Sequence, residues 1–301
     1  MSVHLDPEEV TRLLAKQLPE SLHPHLLLVG SLAAAYHFRE SLDRRGVNTK
    51  DADVIVQPAS ALRECQDVAN TLLNNGWLPY FDEKHPPGAD DTPDTELPIV
   101  RLLPPDPGAA GYFVELLALP ELTQETPKAL HRCQLQDGTW WAIPSFRFMA
   151  VLQHEQRRCG DSQLRYAAPA MMALANLLAH PTLGTEIMSK PIGGVFMKRS
   201  AKDLGRVLGL ALLTEGEIDA WPEQWDGALR TSLPRDLVRL AASAGDGLRE
   251  LVSSRSDLDN ARHALAFGIL ANKNITVEQL RAMADELFTD TLPGLVRLSL
   301  R

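Results

Sequence analysis

Short apolar blocks in the first half of this chain, and longer stretches of 3.6-residue periodicity in the second, divide it into two textures. In "LLLVGSLAAAYHF" a buried strand near residues 25–29 runs into Gly30-Ser31, and a helix is predicted from Ser31. "DADVIV" stops at Pro58 and reads as a strand, as do "WLPYF", "PIVRLL" and "GYFVELLAL". "LDPEEVTRLLAKQL" predicts a helix, with Asp6 as N-cap and Pro7 at the first helical position. "ASALRECQDVANTLLNNG" predicts an amphipathic helix ended by Gly76. The polar stretch "DEKHPPGADDTPDTE" is too long for a hairpin, which predicts a mobile loop bordering a site.

After Pro144 the strand-like runs end. "SFRFMAVLQHEQ", "PAMMALANLLAH", "AKDLGRVLGLALL", "PRDLVRLAAS", "DNARHALAFGILA" and "TVEQLRAMADELF" all carry helical spacing. The pattern predicts an α/β (α+β) protein: a domain over residues 1–144 built on a mixed β-sheet, and an all-helical domain over 145–301. Trp140-Trp141, just before that junction, is expected to pack between the domains.

Composition narrows the class. Of 301 residues, 45% are hydrophobic and 23% charged, as in globular proteins, and no apolar run approaches the length of a membrane helix. The acidic N-terminus lacks a signal peptide's features, and three cysteines form no CxxC pair or disulfide framework, so a cytoplasmic protein is expected. A net charge of −9 excludes indiscriminate coating of nucleic acid. That charge is unevenly placed: residues 1–144 hold 11 Lys and Arg against 21 Asp and Glu, and residues 145–301 hold 19 against 18. Fifteen of those 19 cations are arginine, whose planar fork suits phosphate.

The candidate chemistry is acidic. Asp51 and Asp53 open a strand at a spacing of two, so both carboxylates face one side of a sheet. Like charges that close repel unless a cation sits between them, and magnesium takes oxygen ligands while leaving room for phosphates. D-x-D alone is cheap: Asp257 and Asp259 form a second copy at a helix entry, read as capping and solvation. The first copy differs by the upstream Gly30-Ser31 junction, whose N–H groups and hydroxyl can cradle phosphate. It also has a third acid, Glu115, in an otherwise apolar strand. That residue needs a metal, a cation or, on an edge strand, solvent.

As an ordered set, "VGSLAAAYHF", "TKDADVIV" and "FVELLAL" resemble the nucleotidyltransferase (DNA polymerase β-like) superfamily pattern of hG[GS], then [DE]h[DE]h, then a later acid. The resemblance implies a nucleotidyltransferase fold over the N-terminal domain. It implies metal and catalytic roles for Asp51, Asp53 and Glu115, two Mg2+ ions, and phosphate binding at Gly30 and Ser31. Aspartate is commoner than glutamate at the third position. "FMKRSAKDLGRVLGLA" is in turn similar to a helix of the AbiEii-like nucleotidyltransferase toxins, which implies that Lys202 reaches the triphosphate of an NTP and that Asp203 supports the site. Gly205 and Arg206 depart from that pattern, which often has a second acid there.

Read from the residues alone, Ser200 and Asp203 form a capping-box-like helix start, with Lys198 and Arg199 just before it. Lys202 and Arg206 share a face, suited either to phosphate or to solvent. The expected activity is transfer of a nucleotidyl group from an NTP to an acceptor hydroxyl. The resemblance points to RNA, especially tRNA, as in toxin–antitoxin systems with an antitoxin partner. The alternatives are aminoglycoside or protein nucleotidylation, or a non-enzymatic nucleotide- or partner-binding protein.

Overall fold

The structure, a computed structural model, describes residues 4–42, 47–58, 62–106, 111–184, 186–214, 216–271 and 273–301. The predicted helix start at 59–61 and most of the Pro-Gly turn at 107–110 lie outside them. The chain forms two compact units, Met1–Ala167 and Ala168–Arg301.

The first unit is built on a mixed sheet. Its strands are β1 (His4–Leu5), β2 (Leu26–Leu28), β3 (Val47–Asn48), β4 (Asp51–Val56), β5 (Leu78–Pro79), β6 (Arg101–Leu103) and β7 (Phe113–Ala118). They continue with β8 (Lys128–Gln134), β9 (Trp140–Phe146), β10 (Arg157–Arg158) and β11 (Arg165–Tyr166). Seven of them form one sheet in the order β10-β11-β2-β4-β7-β6-β5, while β1–β3 and β8–β9 make two-stranded sheets. Of the central strands, β4 runs antiparallel to β2 and parallel to β7. The downstream halves of β4 and β7 are buried on both faces, whereas each upstream half alternates. That alternation leaves a polar row at one end of an apolar sheet, which is where a site can form.

Among the described residues this unit has three α-helices: α1 (Pro7–Gln17), α2 (Gly30–His37) and α3 (Leu62–Asn74). Asp6 caps α1 as expected, its Oδ1 accepting from the Glu8 and Glu9 N–H groups at 2.8 and 3.3 Å. The all-apolar run from Leu32 to Tyr36 leaves α2 almost wholly buried.

The boundary expected at residues 144 and 145 falls inside β9, and the first unit extends to Ala167. "SFRFMAVLQHEQ" is the end of β9 followed by a 3-10 helix, Arg147–Gln153, and the chain then re-enters the main sheet through β10 and β11. Only Cys133 of β8 is buried, so that strand lacks the alternation that would have marked it. Trp140 and Trp141 are strand residues of the first unit: Trp141 is buried with its Nε1 donating to Thr139 Oγ1, and the Arg132 guanidinium lies 4.8 Å from the Trp140 ring. Arg132 also fixes the polar stretch expected to be mobile. Its two NH groups donate to the Thr92, Ala89 and Asp90 carbonyls and to Asp94, while Gly88 exchanges two backbone bonds with Trp140.

The second unit is helical: α4 (Pro169–Leu183), α5 (Arg199–Leu213), α6 (Trp221–Ser232), α7 (Leu237–Ser243), α8 (Asp246–Ser253), α9 (Arg255–Phe267), α10 (Val277–Glu286) and α11 (Leu292–Ser299). Between α10 and α11 lies a single π-helical turn, Leu287–Thr291. Trp225 is fully buried and donates to the Ala170 carbonyl at 2.8 Å. No helix among the described residues is long and apolar enough to cross a membrane.

Candidate functional site

The site grows from the junction after β2. The Val29 N–H bonds the Asp53 carbonyl at 3.0 Å, tying the end of β2 to the start of β4. The chain then turns at Gly30, whose φ of +70° begins α2. A Cβ at that position would lie 2.7 Å from Asp53 Oδ2. Only glycine therefore satisfies both the left-handed backbone and the approach of the carboxylate. The two motifs that the sequence placed 20 residues apart meet here, and the Asp53 carboxylate faces the start of α2. Ser31, half-exposed, is the next residue of that helix.

Register places the other acids. Asp51 and Asp53 alternate with buried Ala52, so both carboxylates share the half-exposed face of β4. Asp51 Oδ1 accepts from the Thr49 hydroxyl at 2.5 Å. In the parallel β4–β7 pair Asp53 stands beside Glu115, and Asp51 beside Phe113. All three acids thus lie on one face at the upstream ends of adjacent strands.

Glu115 is engaged in a way the sequence reading did not anticipate. Strand β7 lies between β4 and β6, so the edge-strand alternative does not apply. Arg101 of β6 stands directly opposite Glu115, and its Nε donates to Glu115 Oε2 at 2.6 Å. Its guanidinium also lies 5.3 Å from the Phe113 ring, which in turn stacks on Tyr80 with centroids 5.2 Å apart. Arg101, Phe113 and Tyr80 were missed. The available signal was an arginine inside "PIVRLL", a charged residue in a strand as apolar as the one carrying Glu115.

Among the described residues no group of three or more His, Cys, Asp or Glu side chains is placed to hold a metal ion. The set Asp51, Asp53 and Glu115 does not fit two cations here, because the Glu115 carboxylate already has a guanidinium partner. Asp51 and Asp53, side by side on one face with a Cβ-free residue in front of Asp53, fit one oxygen-seeking divalent ion.

The second-unit candidates sit at the start of α5. Lys198 is its N-cap residue, and no side chain caps the helix, which corrects the capping-box expectation for Ser200 and Asp203. The Arg199 and Ser200 N–H groups donate instead to the Glu186 and Gly184 carbonyls. Lys198 Nζ is paired with Asp257 Oδ2 at 2.8 Å, so the second D-x-D copy anchors a lysine in place of pure solvation. Asp203, with Glu250, contributes negative charge near His180, a buried imidazole whose pKa burial lowers and those two acids partly restore. Lys202 and Arg206 are half-exposed on α5. Gly205 is where α9 packs: a Cβ there would lie 3.0 Å from that of Ala261, so that position disfavours a side chain. Lys198, Lys202 and Asp203 belong to the second unit, and Gly30, Asp51 and Asp53 to the first.

No protein-family model and no curated protein matches the chain. Similarity to solved structures is at low levels. An antigenic nucleotidyltransferase-like protein from Paracoccidioides brasiliensis shares 12% identity, with 87% of this chain and 94% of that one covered and a TM-score of 0.38. A STING-associated CdnE c-di-GMP synthase from Capnocytophaga granulosa shares 11%, with 100% and 84% covered and a TM-score of 0.25.

Proposed function

We propose that the chain is a nucleotidyltransferase, moving a nucleotidyl group from an NTP to an acceptor hydroxyl at the Gly30–Asp53 junction. The observation that carries this reading is Gly30 at φ +70° against the Asp53 carboxylate, with Asp51 on the same face. A strand-to-helix turn that presents backbone N–H groups beside a carboxylate pair suits a substrate with a phosphate chain and an accompanying cation.

In this reading the first N–H groups of α2 and the Ser31 hydroxyl take phosphate oxygens, beside the Asp53 carboxylate that the missing Cβ admits. Asp51 and Asp53 would hold one magnesium ion, which supplies Lewis-acid neutralisation of phosphate charge. Thr49 fixes the Asp51 carboxylate by its hydrogen bond. The AbiEii-like resemblance alone assigns Lys202 to the triphosphate and Asp203 to a supporting role. Lys198, already paired with Asp257, is the weaker phosphate candidate.

RNA, with tRNA foremost, is the proposed acceptor. Arg147, Arg157, Arg158 and Arg165 belong to the first unit, which also carries Gly30 and Asp53. Arg157 and Arg158 are exposed on edge strand β10, and Arg165 lies on β11 beside the β2 strand that leads to Gly30. This arginine edge favours a phosphate backbone. A toxin role with an antitoxin partner rests on the AbiEii-like resemblance alone. Incubation with each α-labelled NTP, Mg2+ and total RNA or protein tests the reading. Label in the RNA fraction supports it whole. Label on protein or an aminoglycoside keeps the transferase and overturns the acceptor, and binding without turnover leaves a nucleotide-binding protein.

A further inference from the structure

We infer that the Arg101 guanidinium occupies the place of a second cation, so that the site works with one divalent ion where the motif pattern implies two. The inference rests on the proposed transferase reading for the ion on Asp51 and Asp53, and on the geometry of β6 and β7 for the rest.

Arg101 is built into the site. Its backbone is fixed on both sides, by the β6–β7 register that sets it opposite Glu115 and by the Tyr80 N–H donating to its carbonyl at 2.8 Å. The side chain then meets Glu115 at 2.6 Å and lies over Phe113, itself covered by Tyr80. The Glu115 side chain is only 17% exposed, so the pair is shielded more than an ordinary surface bridge. An ion that took the guanidinium's place on Glu115 would leave the partly buried Arg101 without its counter-charge, and a weakly held ion must overcome that cost to bind there.

Charge points the same way. Three carboxylates share the face, and Glu115 among them is paired with a guanidinium. A second divalent ion held by Glu115 would sit beside that guanidinium, and like charges at such short range repel. The incoming phosphate oxygens would find a fixed cation in the guanidinium, whose remaining NH groups suit them. Arg101 thereby becomes a positioning and charge-balancing residue of the site.

The test is Mn2+ electron paramagnetic resonance with the full chain and α,β-methylene-ATP. Two ions about 3.5–4 Å apart give a spin-coupled spectrum, and a single ion gives an isolated sextet. The inference expects the sextet in the wild type and in Arg101→Lys, which keeps the charge, and a coupled pair in Arg101→Gln. A second variant covers poor folding of Arg101→Gln: Glu115→Gln should keep the single sextet, because Glu115 is not a ligand. A coupled spectrum in the wild type overturns the inference and leaves the transferase reading standing. A sextet in a folded Arg101→Gln, or loss of the bound ion in Glu115→Gln, also overturns it. Failure of every protein to bind Mn2+ overturns both.

Discussion

Gly30→Ala is the perturbation that asks most of the site geometry. Two costs can be separated. The left-handed backbone, φ +70°, costs a non-glycine residue roughly 1–2 kcal/mol. The new methyl would also lie 2.7 Å from Asp53 Oδ2, with Cγ at 3.7 Å and Cβ at 3.9 Å, so the overlap is with the carboxylate alone. Gly138, at φ +84° with nothing within 4 Å, provides the control, since Gly138→Ala meets only the backbone cost. The stiffer unfolded chain offsets both by about 0.4–1 kcal/mol and cancels in the comparison. Gly30→Ala should therefore exceed Gly138→Ala, and truncating the acid in Asp53→Ala should remove the excess. For residues in contact such coupling is about 0.5–3 kcal/mol. Denaturant midpoints of the two single variants, Asp53→Ala and the Gly30→Ala/Asp53→Ala pair give the cycle. Equal costs for Gly30→Ala and Gly138→Ala, or additivity with Asp53→Ala, would refute the claim that Gly30 is reserved for the Asp53 carboxylate.

Three further expectations follow from the same geometry. Lys202→Ala should weaken NTP binding by about 1.5–3 kcal/mol, tenfold or more, while the exposed Lys190→Ala should not; equal calorimetric affinities would reduce Lys202 to a solvated helix position. Asp257→Asn should lower the melting temperature more than Asp259→Asn, because only Asp257 holds Lys198, and matching melts would show that this ion pair contributes nothing. Burial, reinforced by the charges of Arg157 and Arg39, lowers the His37 pKa to about 4. Between its ordinary 6.5 and 4 the unfolded chain binds a proton there that the folded chain refuses, so stability falls on acidification through that window. His37→Phe should flatten the decline, and an imidazole seen by NMR to titrate near 6.5 would contradict it.

The sequence shows the central sheet well and its periphery poorly, for a physical reason. Strands β4 and β7 end in runs buried on both faces, and such runs are visible as unbroken apolar blocks. Strands β8, β10 and β11 carry Arg, Lys and Gln, bury little, and owe their pairing to partners distant in sequence. The helical texture after Pro144 was therefore extended too far back, and four arginines were assigned to the wrong unit. Within the site, spacing was enough to put Asp51 and Asp53 on one face. It could not show that Arg101 and Glu115 are cross-strand neighbours, because that depends on the β6–β7 register, fixed by the fold as a whole. The same holds for the Lys198–Asp257 pair, which joins the starts of α5 and α9 across 59 positions of sequence.

The central claim, nucleotidyl transfer at the Asp51–Asp53 face, is tested most directly by a paired-label experiment. Full-length protein, total RNA and Mg2+ are incubated with an NTP labelled either at the α- or at the γ-phosphorus. The account predicts α-label in the RNA and γ-label only in released pyrophosphate. Asp53→Asn should abolish α-incorporation and Asp259→Asn, altered at an exposed position of α9, should leave it intact. Incorporation of γ-label, or α-incorporation undiminished in folded Asp53→Asn, would contradict the account.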